Sequence, residues 1–234
     1  MISVCIATYN GEKYIKEQLN SILNQISEND EVIISDDHST DDTIKIAKEI
    51  GDDRIKIYYN PIEKGYAKNF ENAIKKSIGD IIFLSDQDDV WLENKVQITM
   101  SYLKTYDLVI SDATHVNEFL ETTIGSHFKI SKMKSGFLRH LLKPSYIGAC
   151  MAFKRRILKK ALPFPENSKY CAHDYWLTLI GEFYYKVGLI EQELILYRRH
   201  DSNASPAGKK SPNSFLKKIT IRIYSITQLF LRII

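Results

Sequence analysis

The chain predicts an α/β domain, a mostly parallel sheet with helices on both faces, followed by a basic amphipathic helix. Three observations lead there. Short β-branched runs alternate with segments of helical periodicity from residue 2 onward, the order of a parallel sheet. Two of those runs end in carboxylates, Asp36 with Asp37 and Asp86 with Asp88 and Asp89, at the strand ends where open α/β sheets bind ligands. After Asp201 no acidic residue occurs while six Lys or Arg follow, so the tail is strongly basic and the remainder holds 26 basic against 29 acidic groups.

Taken in order, Ile2 to Ala7 predicts a buried strand, and Thr8 to Gly11 a turn in which Asn10 can cap a helix. Ile15, Leu19, Ile22, Leu23 and Ile26 then recur at helical spacing. Glu31 to Ser35 is the second strand, and Ser39 with Asp42 has the spacing of a capping box opening a helix with Ile46, Ala47 and Ile50. Ile55, Ile57 and Tyr59 alternate as a short strand before Pro61, and Gly65 leads to a helix with Phe70, Ala73, Ile74 and Ile78. Ile81 to Leu84 is apolar without a break, a strand buried on both faces that delivers Asp86, Gln87, Asp88 and Asp89 at its carboxyl end.

Beyond Trp91 the pattern gives a helix over residues 93–102 and a strand from Asp107 to Ser111, whereas residues 112–145 carry no clear period. Tyr146 to Phe153 reads as a strand whose Gly148 and Ala149 admit a close approach to the backbone. Lys154 to Leu162 reads as a short helix closed by Pro163, and YCAHDYWLTLI sets Asp174 at the start of an apolar helix. Leu189 to Tyr197 is strand-like and ends in Arg198, Arg199 and His200; Ser202 to Ser214 has the composition of a linker. The chain therefore divides into a domain over 1–205, with halves 1–112 and 113–205, and a linker with helix over 206–234. In the tail Ile219, Ile223, Ile226, Phe230 and Ile233 form one stripe, with Lys217, Lys218, Arg222 and Arg232 mostly elsewhere. Such a helix fits the interface of an anionic membrane; a stripe packed on the body or on a second subunit is the other reading.

With 44% hydrophobic and 26% charged residues, the 234-residue chain has the makeup of a soluble globular protein. A net charge of +3 offers no basis for a nucleic-acid partner. Cys5, Cys150 and Cys171 show no C-x-x-C or metal spacing, so reduced, buried thiols in the cytosol are expected. MISVCIATYN lacks the basic start of a targeting segment, and no apolar run reaches the length of a membrane span.

Three acids in four residues beside a core repel one another unless a cation, hydroxyl groups or a proton compensates them. Mg²⁺ or Mn²⁺ meets that need, sharing its coordination between carboxylates, water and a substrate phosphate. One acidic pair would then take the base and ribose of a nucleotide and the other a metal on its diphosphate.

In ISVCIATYNGEKYIKEQLNSILNQ at 2–25, SDDHSTDDT at 35–43 and LSDQDDVW at 84–91, the chain resembles the family 2 glycosyltransferases of the GT-A, Rossmann-like fold. Gly148 to Phe153, HDYW at 173–176 and LYRRH at 196–200 extend the likeness over residues 1–205, toward rhamnosyltransferase-like bacterial enzymes. The resemblance implies a nucleotide-sugar-binding half at 1–112 and an acceptor half at 113–205. It implies donor contacts from Thr8, Tyr9, Asp36, Asp37, Asn69, Asp86, Arg198 and His200. Tyr9 would stack on the base, Asp37 would bond the base or ribose, Asp36 would support the loop and Asp86 would face the ribose or sugar. Asp88 would bind the metal, and Gly148, His173 and Trp176 would meet the acceptor. Asp174 would be the base that deprotonates the acceptor for an inverting displacement. The implied donor is UDP- or dTDP-linked, the sugar rhamnose or another hexose, and the acceptor a glycan or lipid-linked glycan of O-antigen or capsule type. The implied location is peripheral, on the inner face of the cell membrane, with an oligomer compatible.

Plainer readings stand beside these. Tyr9 also fits a turn aromatic, Asp36 and Asp42 capping groups, Asp174 an N-cap, and Trp176 a core aromatic. His38 stands where the family commonly has Gly, so that turn must accept a side chain. No Q-x-x-R-W motif or membrane span is present, against a processive synthase, and the chain stops soon after His200 where a C-terminal extension would follow. Two rival functions remain. Residues 86–90 fit D-x-D-x-V, the nucleophile loop of haloacid-dehalogenase-like phosphatases, which leaves Asp36, Asp37 and Asp174 without roles. A nucleotide-sugar-binding module without catalysis is the other.

Overall fold

The computed structural model describes residues 1–61, 64–200, 203 and 213–233. The first half alternates as the sequence predicts. Strand β1 (Ile2–Thr8) leads to α1 (Ile15–Leu23), β2 (Glu31–Asp36) to α2 (Thr43–Glu49), and β3 (Ile55–Tyr59) to α3 (Tyr66–Lys76), before β4 (Ile81–Asp86). β1, β2 and β4 are apolar on both faces because helices cover both sides, and Val4, Ile6, Ile33, Ile34, Phe83 and Leu84 are fully buried there.

The second half holds a two-residue strand β5 (Val90–Trp91), α4 (Lys95–Leu103), and β6 (Leu108–Val116) paired with β7 (Thr122–Ser126). Two short helices follow, α5 (His127–Ser131) and α6 (Phe137–Leu142), then β8 (Met151–Lys154), α7 (Leu158–Ala161), α8 (His173–Tyr184), β9 (Val187–Arg198) and α9 (Phe215–Phe230). The sheet order is β3-β2-β1-β4-β8-β6-β9-β5, with β7 beside β6. β3, β2, β1 and β4 run parallel, and β6 with β9 shares their direction because β8 pairs antiparallel to both β4 and β6. The sheet is thus mostly parallel in strand direction, with β5, β7 and β8 reversed.

Several local expectations change. Asn10 does not cap α1, which starts at Ile15; its Oδ1 instead accepts from the Thr40 amide at 2.9 Å, tying two loops together. Ser39 and Asp42 form no capping box: α2 starts only at Thr43, the Ser39 hydroxyl donates to Asp36 at 2.6 Å and its oxygen accepts from the Asn10 amide at 2.9 Å. Residues 148–150 are a 3₁₀ turn rather than strand, so the strand is only Met151–Lys154, of which Ala152, Phe153 and Lys154 pair with β4. His38 has φ +62°, the left-handed conformation its position demands. All three cysteines are free and buried. The expected linker lies almost wholly outside the described residues.

The tail stripe turns outward. Ile221, Ser225 and Leu229 pack on the body, while Ile219, Ile223, Phe230 and Ile233 are exposed and Ile226 is half-buried. Among the described residues no helix is long and apolar enough to cross a membrane.

Candidate active site

Register brings the acidic strand ends together. Thr8 lies opposite Asp36 on β2, and Ala7 opposite Asp86 on β4, so both acidic ends share one edge of the sheet. Asp36 is fully buried: the Thr8 hydroxyl donates to its Oδ1 at 2.8 Å, and the Ser39 amide to its Oδ2 at 2.8 Å. It offers nothing to solvent and holds the β2 exit loop, the supporting part expected of it among the donor-site residues. Asp37 accepts from Asn60 Nδ2 at 2.9 Å and from the Gly65 amide at 2.7 Å, which fixes the entry to α3. Asn69 donates to the Thr8 carbonyl at 3.1 Å, and its buried Oδ1 has no partner among the described residues.

Tyr9 is 51% exposed, and its ring has Lys64 Nζ 5.9 Å from the centroid. Its backbone is gripped by Gln87, whose Oε1 accepts from the Tyr9 amide at 2.9 Å and whose Nε2 donates to the Tyr9 carbonyl at 3.0 Å. Gly11 permits this, since a Cβ there would lie 2.4 Å from Gln87 Oε1. The turn after β1 is thereby locked to the loop after β4.

At that loop, carboxylate oxygens of Asp86, Asp88 and Asp89 lie within 4.8 Å of one another. Burial first, then the charges of Asp88 and Asp174, push the Asp86 carboxyl up to about 7, against a smaller pull from Arg199. Asp89 is raised well above the carboxylate range by burial and then by Asp88 and Asp86. Its Oδ1 accepts from the Arg198 amide at 2.9 Å, while its buried Oδ2 is unpartnered among the described residues. A cluster of hard oxygens short of positive charge, with one orphaned acceptor, fits a divalent cation such as Mg²⁺ or Mn²⁺.

The end of β9 closes the cluster. His200 Nε2 is 2.8 Å from Asp88 Oδ2, which also accepts from Asn203 Nδ2 at 2.7 Å. The His200 ring stacks on Tyr14 at 4.9 Å. Arg198 is buried as a clamp: its Nε donates to the Asp88 carbonyl at 2.6 Å, its guanidinium pairs with Glu17, and it lies over Tyr14 at 4.7 Å. Of the two donor contacts expected here, His200 faces the acidic cluster; Arg198 is corrected to a brace for it. Sequence reading counted Asp89 in the acidic run that a cation would compensate but gave it no separate role; its partner, the Arg198 amide, lies 109 residues away.

Asp174 stands in the first turn of α8, where Ala172, not Asp174, is the N-cap. Its Oδ1 accepts from the Tyr175 amide at 2.7 Å, and its charge is felt by Asp86. His173 beside it stacks on Phe70 at 4.2 Å, and neither ring nitrogen has a partner among the described residues. A Cβ on Gly148 would fall 2.9 Å from His173 Nε2 and 3.3 Å from Asp174 Cβ, so what approaches the Gly148 backbone is the chain's own α8. Trp176 is fully buried and donates to the Ala161 carbonyl at 2.8 Å; it belongs to the core, not to an acceptor surface.

This architecture has known relatives. The profile of "Glycosyl transferase family 2" matches residues 3–162. The chain is 35% identical over 184 residues, 78% of its length and 71% of the relative's, to the Escherichia coli UDP-Glc:alpha-D-GlcNAc-diphosphoundecaprenol beta-1,3-glucosyltransferase WfaP. It is 29% identical over 230 residues, 97% of its length and 87% of the relative's, to an uncharacterized glycosyltransferase of Haemophilus influenzae. Among solved structures, S. aureus TarS 1-349 in complex with UDP-GlcNAc superposes with TM-score 0.75 at 21% identity, over 96% of this chain and 66% of that one. Glucosyl-3-phosphoglycerate synthase from Mycobacterium tuberculosis, in complex with Mn²⁺ and UDP, gives TM-score 0.58 at 19% identity over 99% of this chain and 79% of that one. These likenesses confirm the GT-A fold, and with residues 3–162 matching its profile the chain belongs to glycosyl transferase family 2.

Proposed function

We propose that this glycosyltransferase is an inverting, metal-dependent enzyme that moves a hexose from a nucleoside diphosphate sugar to a glycan or lipid-linked glycan of a bacterial surface polysaccharide, O-antigen or capsule, at the inner membrane face. The observation that supports the reading is that register sets the ends of β1, β2 and β4 side by side, with the Asp86, Asp88 and Asp89 carboxylates within 4.8 Å of one another and Asp174 near enough for its charge to raise the Asp86 carboxyl. UDP-glucose is the first donor to test, ahead of a rhamnosyl donor linked to dTDP, because WfaP and WfgD of Escherichia coli, at 35% and 30% identity, are both named as UDP-Glc transferases.

In this reading Tyr9 takes the base on its open ring, and Asp37 holds the loop beneath it. Asp88 and His200, with Asp86 and Asp89 close by, would hold the divalent cation, whose charge offsets that of the departing nucleoside diphosphate. Asp174 Oδ1 accepts from the Tyr175 amide, and its Oδ2 would take the proton of the acceptor hydroxyl. The acceptor oxygen bonds to the anomeric carbon as its proton passes to Asp174. The bond from that carbon to the diphosphate breaks, and its electron pair leaves with the diphosphate. Attack opposite the leaving group inverts the anomeric configuration.

The test is calorimetric titration of UDP and dTDP with and without Mn²⁺ into the wild type and Asp88→Ala, followed by transfer from UDP-glucose to a GlcNAc-diphospholipid. Metal-dependent binding abolished by the substitution, with transfer abolished by Asp174→Asn, is expected. No binding of either nucleotide under any condition would overturn the reading.

A further inference from the structure

α9 meets the body along a narrow strip. Ile221, Ser225 and Leu229 are buried, the Tyr184 hydroxyl donates to the Leu229 carbonyl at 3.2 Å, and Arg222 donates to the Leu142 carbonyl at the end of α6 at 2.8 Å. Around the same helix Phe215, Ile219, Ile223 and Phe230 share an arc and remain 40 to 77% exposed. The arc continues onto α6, where Leu138 is 70% and Leu142 69% exposed. Between the two helices and the end of α8 runs a groove of about 240 Å³, lined by Leu138, Phe183, Ile226, Phe230 and their apolar neighbours, with no polar side chain. An apolar surface of this extent on two packed helices is a contact site rather than scattered exposure.

Charge decides what covers it. Residues 122–165, which supply α6, contain ten Lys or Arg and no Asp or Glu. The described part of the tail adds Lys217, Lys218, Arg222 and Arg232, again without an acid. Glu182, next to Phe183 in sequence, is turned inward onto the Gly136 amide at 3.0 Å and the Tyr146 hydroxyl at 2.8 Å. Across Phe183 opens a second cleft, about 660 Å³, where Lys104, Lys154, Arg156 and Lys186 surround the single carboxylate of Asp107. On α6, α9 and the residue after α6 the charged side chains are Arg139, Lys143, Lys217, Lys218 and Arg222, so two copies meeting through this face would bring mostly cations against cations. A surface that combines anionic headgroups with hydrocarbon answers both features.

We propose that α6, the end of α8 and α9 form a docking face for an anionic phospholipid bilayer. The tail alone does not make it: α6 contributes from a segment some 80 residues earlier, and Arg222 welds the two helices into one plane. α8 then acts as a spacer. Asp174 in its first turn and Phe183 near its last are nine residues apart, about 13 Å at 1.5 Å per residue. Docking therefore sets the candidate base at a fixed height over the membrane, where it meets a sugar carried on a lipid diphosphate. That last step rests on the functional reading above; the docking itself does not.

Cosedimentation tests it, with vesicles of phosphatidylcholine alone and of phosphatidylcholine with phosphatidylglycerol, using the full chain, Leu138→Asp, Ile223→Asp and Lys217→Gln/Lys218→Gln. The wild type should pellet with the anionic vesicles and remain in solution with the neutral ones. Leu138→Asp and Ile223→Asp should each lower partitioning about ten-fold, and the lysine variant should make it more salt-sensitive. Circular dichroism and UDP titration report folding, since these side chains are exposed and remote from the acidic cluster. Wild type that never pellets, or Leu138→Asp that pellets like wild type, overturns the proposal, as does a vesicle-indifferent wild type that gel filtration shows to be a dimer split by Leu138→Asp. Loss of UDP binding with vesicle binding intact would instead fault the functional reading alone.

Discussion

His200 Nε2 lies 2.8 Å from Asp88 Oδ2, so the exit of β9 and the exit of β4 meet at one carboxylate although 112 residues separate them. The stack on Tyr14 and the Arg198 clamp fix the histidine there before any ligand arrives. His200→Ala is therefore expected to weaken Mn²⁺-dependent UDP binding by about ten-fold to a hundred-fold, the range of losses when a ligand or its supporting partner is removed. Titration with and without metal checks it. Equal losses in both conditions would show that His200 acts on the fold of the loop and not on the cation.

Gly11→Ala tests the lock between the first turn and the acidic loop. Its Cβ would meet the end of the Gln87 side chain, which can swing away, so the fold should survive at a cost of about 1–3 kcal/mol. What is lost is the pair of hydrogen bonds between the Gln87 side chain and the Tyr9 backbone. Nucleotide affinity should fall several-fold, and Gln87→Ala should fall by a like amount with the double variant no worse than either. Additive losses would show that the two residues act independently.

Acid should destabilise the fold through histidine before it titrates most carboxylates. His140 is buried in α6, stacked on Tyr146 at 4.4 Å, with Nδ1 unpartnered among the described residues. Burial pushes it down to about 4, against a smaller opposing pull from Tyr175. Between pH 6.5 and 4 the unfolded chain takes up a proton there that the folded chain refuses, so stability falls as pH falls through that window. From pH 7 to pH 5 the loss from His140 is about 2 kcal/mol. Urea unfolding of wild type and His140→Phe at both values checks it: the variant should lose less by that amount, and parallel losses would remove His140 as the cause.

Much of this was legible in residues. The apolar runs that end in acids are strands packed on both faces, and no other local structure explains them, so the half through Asp86 emerged in order. The sheet beyond it did not, because β8 inserts between β4 and β6 by antiparallel pairing that apolar runs do not encode. Side-chain competition hid other features. Ser39 had the spacing of a cap, yet its oxygen takes the Asn10 amide of the neighbouring loop while its proton goes to the buried Asp36 carboxylate. In α9 the large apolar stripe drew attention, but the small Ser225 is what lets the helix approach the body, and the stripe was left outside. Motif resemblance singled out Asp174, Asp88 and His200 as candidates; the supporting partners of Asp89 and Arg198 depend on tertiary contacts that spacing alone does not reveal.

Gly148→Ala separates positioning of the candidate base from donor binding. The added methyl would come within 2.9 Å of His173 Nε2, and the ring has little room to retreat because it already stacks on Phe70 at 4.2 Å. Asp174 Cβ, 3.3 Å from the same methyl, is the next atom to be displaced, and with it the first turn of α8. A displacement of about 1 Å at a reacting group can cost on the order of a hundred-fold in rate, whereas the proposed nucleotide contacts lie at the ends of β1, β2 and β4. The variant should therefore lose kcat by about ten-fold or more while its UDP affinity stays within about two-fold of wild type. Steady-state transfer assays and UDP titration on the same preparation decide it. Unchanged kcat would mean that the turn at 148–150 yields without moving α8 and that Gly148 does not position Asp174.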